Sequence, residues 1–372
     1  MNDIAARRLG AQRLTGEPFK SPLDAIRSLT AVQSQDYAGA KWALGQRSRR
    51  TTDAELDRLF DEGAILRTHV LRPTWHFVLP EDIGWLVALT GPRIRAGLVA
   101  RNRELEIDDR VAARAGALFA SALAGGRHLT RAELGQVLSA GRISPEGQRL
   151  PHLIMRAELD ALIASGPRRG KQFTYALLKE RAPNARALGR DEAVAELTLR
   201  YFRSHGPAQI QDFVWWSGLR MADARTGLAS AGKGLERRVI DGKDYWFDSG
   251  VGPQIKAAPV AHLLPNYDEY TVAFRDRAEI LHADLPFDPD VFARAGASGT
   301  TSISFGSILA NVVTIRGKVR GSWRRSLERD GVRLEARMLD RLKPAESRAV
   351  EAAGRRFGEF LERPVEMTVS NG

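Results

Sequence analysis

The chain has 372 residues, enough for two or three domains of about 100–200 residues each. Hydrophobic residues make up 43% and charged residues 27%, which is typical of a globular protein. Cysteine is absent, so disulfides, cysteine zinc ligands and thiol nucleophiles are excluded. The formal net charge is +11, mostly from arginine, whose planar fork suits phosphate. This favours nucleic acid as the partner, although a GC-rich genome produces the same bias.

No stretch approaches the ~20 consecutive apolar residues that cross a bilayer. Residues 1–10 carry charges where a secretory signal would be apolar. We therefore predict a cytoplasmic, nucleoid-associated protein that makes no membrane contact.

Three stretches of the chain repeat one order of elements, in which helices lead into a hairpin, as in a winged helix-turn-helix. In the first, Ser21 is the predicted N-cap of the second helix, and the hairpin turns at Arg72 and Pro73. Its predicted elements are the helices Ile4–Leu14, Leu23–Val32 and Thr52–Gly63 and the hairpin Ile65–Leu79.

The second stretch runs from about Asp108 to Arg181. Thr130 and Glu133 have the spacing of a capping box at the start of a helix. Ser144 and Pro145 begin the next helix, which apolar spacing extends to Ala164. A basic turn and a strand then follow, Gly166–Lys171 and Gln172–Leu178.

The third stretch has the same order of elements and ends in a hairpin around Asp241 and Gly242, a strong signal for a two-residue turn. Its predicted elements are the helices Glu192–Ser204, Ala208–Ser217 and Arg220–Ser230 and the strands Glu236–Ile240 and Tyr245–Asp248.

From Ala258 onward the pattern changes to short strands closed by the helix Glu346–Leu361, with a loop at Ala293–Ser307. The predicted strands are Val260–Leu264, Thr271–Phe274, Asn311–Ile315, Lys318–Trp323 and Val332–Met338. We predict an α+β fold of tandem winged helix-turn-helix units that form a basic concave surface, with a β-rich C-terminal domain. The predicted boundaries are 1–107, 108–188, 189–257 and 258–372.

Two glutamines, Gln33 and Gln35, follow the second predicted helix. In an extended segment, positions two apart share one face, so both amides could converge on one ligand. Each amide donates and accepts hydrogen bonds without ionising, which suits it to hold water or to read a base edge. A solvated surface is the alternative. Asp36 is either a base or, as we favour, the N-cap of a helix that begins near Ala38.

Asp268 and Glu269 form an adjacent carboxylate pair. They could bind a metal, but we favour ion pairs with Arg275 and Arg277. His76 either contacts DNA or is a hydrogen-bonded, partly buried histidine. The residues that we expect to contact DNA are Arg67, Arg72, Thr74, His76, Arg168, Arg169, Lys171, Lys318, Arg320, Trp323, Arg324 and Arg325.

Trp215 and Trp216 are adjacent, so at most one faces the core if their segment is helical. No P-loop, dinucleotide-binding glycine motif, zinc-protease motif or nucleophile elbow is present. Nucleotide hydrolysis, dinucleotide redox chemistry and metalloprotease activity therefore lack support in the sequence.

Five segments carry motifs that occur together in one known family. They are Gln33–Gln35, Ala40–Gly45, Leu71–Val78, Leu263–Tyr270 and Gly317–Arg325. In this order, over nearly the whole chain, they resemble the AlkZ-like family of winged-helix DNA glycosylases. The resemblance implies tandem winged helices with a basic DNA-binding surface, excision of alkylated bases and, in some members, unhooking of interstrand crosslinks.

In that family, the two glutamines of a glutamine–aliphatic–glutamine motif are catalytic. The resemblance places this role on Gln33 and Gln35, with Ser34 in place of the aliphatic residue. It also places the segment with Tyr267, Asp268 and Glu269 near the site, and Asp36 is a further residue that could line it.

We predict a monomeric, monofunctional DNA glycosylase that needs no cofactor or metal and acts on duplex DNA with damaged bases. One alternative is a winged-helix DNA-binding or regulatory protein without catalysis. A second is an enzyme that acts on small molecules near Asp268 and Glu269.

Overall fold

The computed structural model describes residues 4–248, 250, 260–281 and 311–371. The chain divides into two compact units, which are described separately below. The first comprises Met1–Leu56, Leu199–Trp215 and Gly232–Gly372, and the second comprises Asp57–Thr198 and Trp216–Ala231. The expected mixture of helices and strands is present in both units. Among the described residues, no helix is long and apolar enough to cross a membrane.

The helices are α1 (Ile4–Ala11), α2 (Pro22–Leu29), α3 (Tyr37–Arg47), α4 (Asp53–Glu62), α5 (Pro80–Gly97), α6 (Val99–Glu104), α7 (Asp109–Leu123), α8 (Arg131–Ala140), α9 (Arg149–Leu159), α10 (Leu178–Arg181), α11 (Arg190–His205), α12 (Ile210–Ser217), α13 (Met221–Ala231), α14 (Glu269–Val272) and α15 (Pro344–Leu361), with a 3₁₀ turn at Gly232–Gly234. The strands are β1 (Val32–Gln33), β2 (Leu66–Val70), β3 (Thr74–Val78), β4 (Leu129–Thr130), β5 (Ile163–Ser165), β6 (Thr174–Leu177), β7 (Glu236–Ile240), β8 (Lys243–Phe247), β9 (Ala261–Leu264), β10 (Val312–Ile315), β11 (Lys318–Leu327), β12 (Val332–Met338) and β13 (Val365–Asn371).

The first unit contains a five-stranded sheet in the order β13-β12-β11-β10-β9. The strands from β9 to β12 pair antiparallel, and β13 pairs parallel to β12 after the crossover through α15. Alternate residues of β12 are buried, which is the pattern of a sheet with one covered face. A separate antiparallel hairpin, β7–β8, has the predicted turn at Asp241 and Gly242.

The core of this unit fixes α3 against the sheet. The ring of Phe357 on α15 lies 5.0 Å from that of Trp42 on α3 and 5.4 Å from that of Trp323 on β11. The Trp42 indole N–H also donates to the carbonyl of Leu263 on β9. Because buried aromatic pairs of this kind pack in a restricted geometry, α3 and the segment that precedes it have a fixed position on the sheet.

The second unit has a helical core under a three-stranded antiparallel sheet in the order β4-β6-β5. Helices α7, α8 and α9 each contribute to this core through a side chain that is at most 1% exposed: Phe119, Leu134 and Leu153. Thr130 and Glu133 form the predicted capping box at the start of α8. The strands β2 and β3 form the predicted antiparallel hairpin.

Three predicted elements differ markedly in the structure, and one strand at the C-terminal end was not predicted. The helix expected from Pro145 to Ala164 is α9, which begins only at Arg149 and ends at Leu159. Positive φ angles at Gly147 and Ala161 interrupt the helix on both sides, and the chain continues as β5.

The strand expected at Thr271–Phe274 is also wrong. Its β-branched residues suggested a strand, but Asp268 caps a helical turn there, α14. The helix expected to reach Val32 ends at Leu29, and strand β13 was missed. The loop predicted at Ala293–Ser307 lies outside the described residues.

Candidate active site

The glutamine segment lies between two well-defined helix ends of the first unit. Helix α2 ends at Leu29, since Thr30 has φ of +71° and no longer continues the helix. The chain is then extended through β1 and bends before α3. Asp36 is the N-cap of α3 and accepts a hydrogen bond from the Gly39 amide at 3.1 Å, which confirms the favoured role of this aspartate. Gln33, Ser34 and Gln35 are therefore held at both ends.

The two glutamines have different surroundings. Gln33 is 6% exposed and ends β1, whereas Gln35 is exposed in the bend before α3. Ser34 between them is fully buried. The Gln33 main-chain N–H donates to Oε1 of Glu269 at 2.9 Å. The main chain of Gln33 is therefore anchored beside a buried carboxylate, whereas Gln35 is exposed to solvent.

Glu269 belongs to a buried polar group that also includes His205. The Nε2 atom of His205 lies 3.5 Å from Glu269 Oε2, and both side chains are at most 1% exposed. The His205 ring stacks on Tyr201 with centroids 4.8 Å apart. The Tyr201 hydroxyl donates to the carbonyl of Ala273, just beyond α14. Glu269 therefore contacts Gln33 through one carboxylate oxygen and His205 through the other.

The loop before α14 lies along the start of α3. A Cβ atom on Gly39 would come within 3.1 Å of Pro265 Cβ, so the two segments approach closely where glycine leaves room. Tyr267 has φ of +62°, a conformation that side chains rarely adopt. Burial raises the pKa of Tyr267, and the negative charge of Asp36 raises it further. The tyrosine hydroxyl therefore stays protonated at neutral pH.

Asp268 forms a buried bidentate ion pair with Arg47 at the end of α3. The two Arg47 nitrogens donate to the carboxylate at 2.7 and 2.9 Å, and both side chains are 0% exposed. Arg47 also donates to Gln12 Oε1 at 2.7 Å. Ion pairing of Asp268 is thus confirmed, but the predicted partners are wrong. Arg277 instead donates to the carbonyl of Thr271, and the main-chain N–H of Arg275 donates to Asp212.

Five residues expected near the site, Gln33, Asp36, Tyr267, Asp268 and Glu269, therefore share one group of contacts in the first unit. Sequence reasoning missed Arg47, His205 and Gln12, which complete the group. Arg47 and Asp268 are 221 positions apart, and no local pattern connects residues at such a separation. Among the described residues, no cluster of three or more His, Asp and Glu side chains could hold a metal ion.

The residues expected to contact DNA on the first hairpin are partly enclosed in the second unit. Arg67 is 8% exposed, and Arg72 donates to the carbonyl of Trp216 at 3.2 Å. His76 is fully buried, and its Nδ1 lies 3.0 Å from the Thr74 carbonyl oxygen. The alternative of a buried, hydrogen-bonded histidine is therefore confirmed for His76.

On the basic turn after β5, the arginines are paired and the lysine is exposed. Arg168 lies against Asp57 and Asp61, and Arg169 donates to Glu133 at 2.7 Å. Lys171 is exposed at the end of this turn.

The C-terminal basic strand requires one correction. Trp323 is 4% exposed and its indole N–H donates to the carbonyl of Leu264 at 2.8 Å, so this ring belongs to the core and does not contact DNA. Its neighbours point the other way, because successive strand residues alternate. Arg324 is exposed and pairs with Glu335, whereas Arg325, two positions from Trp323, shares its face and lies over the Phe357 ring, 5.7 Å from the centroid. Lys318 donates to the carbonyl of Glu279.

Burial distinguishes the roles of Arg320 and of the adjacent pair Trp215 and Trp216. Arg320 binds Asp340 through two nitrogens and is mostly buried. Trp216 is fully buried while Trp215 is 37% exposed, which confirms that only one of this adjacent pair faces a core.

A family model described as AlkZ-like DNA glycosylase matches residues 26–360, which is most of the chain. The chain belongs to the AlkZ-like DNA glycosylase family. Among curated proteins, an AlkZ-like relative from Streptomyces sahachiroi, the interstrand DNA cross-link repair glycosylase, is 24% identical over 345 residues that cover 86% of each chain. The solved structure of Streptomyces sahachiroi DNA glycosylase AlkZ matches with a TM-score of 0.76 at 20% identity and covers 98% of both chains. This likeness shows that the chain has an AlkZ-like fold.

Proposed function

We propose that the protein is a monofunctional DNA glycosylase that hydrolyses the N-glycosidic bond of alkylated bases and leaves an abasic site. Gln33 and Gln35 are its catalytic pair. The observation that carries the proposal is the anchored position of Gln33, whose main-chain N–H donates to Glu269 Oε1 at 2.9 Å. The exposed Gln35 lies two positions further along, and the chain belongs to a DNA glycosylase family.

The chemistry suits two neutral amides. A purine alkylated at N3 or N7 carries a positive charge and leaves as a neutral base, so the reaction needs no strong general acid. The enzyme has to place a water molecule near C1′ and to stabilise an oxocarbenium-like sugar, which amide oxygens can do. Because glutamine is not a strong base, the rate depends on the lability of the damaged base, and normal bases are spared.

The substrate range extends to crosslinked bases. The relative from Streptomyces sahachiroi is named for interstrand DNA cross-link repair, and it matches over 86% of this chain. A base that is tethered to both strands cannot rotate freely out of the duplex. Exposure of Gln35 at the surface of its unit supports attack on such a base without full extrusion.

Duplex DNA is held mainly through its phosphates. The proposal retains the predicted organisation into three winged-helix units, 1–107, 108–188 and 189–257, and a C-terminal part, 258–372. The cations at Arg168, Arg169, Lys171, Arg324 and Arg325 supply phosphate contacts, and those that are ion-paired exchange a carboxylate partner for a phosphate. The net charge of +11 supports this part of the proposal.

The test uses duplex DNA with one N7-methylguanine, followed by alkaline cleavage at abasic sites. The native chain should produce strand breaks, and a Gln33→Ala, Gln35→Ala double variant should lower the rate by about 10²–10³-fold. The matched control is Gln136→Ala, which removes an exposed glutamine of α8 and should keep full activity.

Absence of strand breaks with the native chain on both the methylated duplex and a crosslinked duplex, despite tight binding, would overturn the proposal. The alternative of a DNA-binding protein without catalysis would then hold. Retention of activity in the double variant would instead overturn the assignment of the glutamines.

A further inference from the structure

The second unit contains a cleft of about 640 Å³ whose lining is rich in aromatic and cationic side chains. A volume of this size fits a small-molecule or nucleotide ligand. Three rings and three cations line it: Trp75, Phe173, Tyr175, Arg67, Arg131 and Lys171. No aspartate or glutamate is among its lining residues. Its walls come from the hairpin β2–β3, the first turn of α8 and the segment that leads into β6.

A guanidinium held between two rings forms one wall of the cleft. The Arg67 Cζ atom lies 4.3 Å from the Trp75 ring centroid and 4.7 Å from that of Phe173. Both rings keep part of their surface exposed, while Arg67 is 8% exposed. Arg67 is thus held by two cation–π contacts, and the exposed parts of Trp75 and Phe173 offer aromatic surface to a further planar ring.

The rest of the lining includes exposed positive charge and a hydroxyl. Arg131 and Lys171 are exposed cations, and Arg131 donates to the Tyr175 hydroxyl. The two nearby carboxylates are already engaged. Glu133 accepts from the Thr130 amide and from Arg169, and Glu158 faces His69 behind the cleft at 2.5 Å. The lining itself therefore carries three cations and no carboxylate.

We propose that this cleft binds one unstacked nucleotide of a DNA strand, with the base on the exposed aromatic surface of Trp75 and Phe173 and the phosphate on Arg131 and Lys171. A nucleotide is the ligand that combines a planar ring with an adjacent anion, and the lining combines the two matching features. The assignment rests on the DNA-binding part of the proposed function, but it concerns a site other than the glutamine pair.

The test measures binding of the full chain to undamaged, labelled duplexes by fluorescence anisotropy. One duplex carries a single unpaired nucleotide and the other is fully paired. The native chain should prefer the unpaired nucleotide about tenfold, which is the affinity that one stacked base contributes. Phe173→Leu and Lys171→Gln should each remove most of this preference. Equal affinity of the native chain for both duplexes, or a preference that survives both substitutions, would overturn the proposal.

Matched variants separate this effect from general damage. Phe173→Tyr keeps the ring and should keep the preference, and Lys179→Gln removes an exposed lysine outside the cleft and should also keep it. Displacement of the bulged duplex by thymidine 5′-monophosphate at equal concentration would overturn the strand assignment in favour of a free nucleotide. Because the duplexes are undamaged, a chain without glycosylase activity gives the same readout, so failure of the proposed catalysis and failure of this inference are distinguishable.

Discussion

The contact between Glu269 and the main chain of Gln33 fixes the glutamine segment. The N–H of Gln33 is buried, and its acceptor is the Glu269 side chain at 2.9 Å. A buried donor that loses its acceptor costs more than a typical hydrogen bond contributes. Glu269 therefore acts as a positioning residue, through Gln33, in the proposed reaction.

Glu269→Ala should lower the free energy of unfolding by about 1–3 kcal/mol, because the Gln33 N–H is left without its acceptor. The displaced segment should also lower base excision, by up to about 10²-fold. Glu269→Gln keeps an oxygen at this position and should recover much of both losses. Chemical denaturation and single-turnover excision measure the two quantities, and equal losses in both variants would exclude a positioning role through this hydrogen bond.

A second residue-scale consequence concerns Glu133 at the edge of the cleft. The pKa of Glu133 is lowered from 4.5 to about 2, mainly because its carboxylate accepts from the Thr130 amide, and next because of Arg169. A carboxyl group with a depressed folded-state pKa stabilises the fold above its unfolded pKa, and this stabilisation is lost as the pH falls through about 2.

Arg169→Gln should therefore raise the pKa of Glu133, but to a value still below 4.5, since the Thr130 hydrogen bond remains. Carboxyl NMR titration measures this directly. Arg168→Gln, at the neighbouring arginine that pairs with Asp57 and Asp61, is the control and should leave the Glu133 titration unchanged.

At the scale of elements, one buried ion pair joins the end of α3 to the start of α14. Arg47 and Asp268 are both 0% exposed, and the same carboxylate caps α14 by accepting from the Tyr270 amide. A buried charge that loses its partner is costly, whereas an exposed pair contributes little. The geometry of both segments therefore depends on this pair.

Asp268→Asn should lower the free energy of unfolding by about 3–5 kcal/mol, because Arg47 is left as an uncompensated buried charge. Asparagine is itself a good N-cap, so the loss reports the ion pair and not the cap. The control is Glu335→Gln, which breaks the exposed pair with Arg324 and should cost under about 1 kcal/mol. Similar costs for both variants, measured by denaturant unfolding, would contradict the assigned role of Asp268.

At the scale of the whole molecule, the proposed phosphate contacts make DNA binding sensitive to salt. Neutralised phosphates release counterions, so six to ten contacts lower the affinity about 10³–10⁵-fold between about 50 and 200 mM salt. We expect the affinity for an undamaged duplex to fall about 5 × 10²-fold, since five phosphate contacts are proposed and each adds about 0.9 to the salt slope. Affinity that stays constant over this range would contradict the phosphate contacts.

The slope of log affinity against log salt concentration should also show how much an individual cation contributes. Lys171→Gln removes an exposed cation and should reduce the slope by about one. Arg320→Gln is the comparison, because Arg320 is mostly buried and binds Asp340 through two nitrogens. Its removal should change the slope less.

The sequence by itself determined the elements whose signals are local. The Ser21 and Thr130 caps, the two-residue turn at Asp241 and the N-cap role of Asp36 depend on residues within a few positions, and the structure confirms them. The family was also evident from motifs in chain order, since the family model matches residues 26–360. The catalytic role of Gln33 and Gln35 stays a prediction.

Only the tertiary structure decided which side chains meet. Arg47 and Asp268 are joined across 221 positions, Gln33 and Glu269 across 236, and neither partner changes the local pattern around the other. The burial of Trp323 also depends on the tertiary structure. A basic strand with one aromatic residue has the same sequence pattern whether the ring packs on a helix or faces solvent. Local propensity acts between neighbours along the chain, but charge pairing and burial depend on what the fold places opposite each side chain.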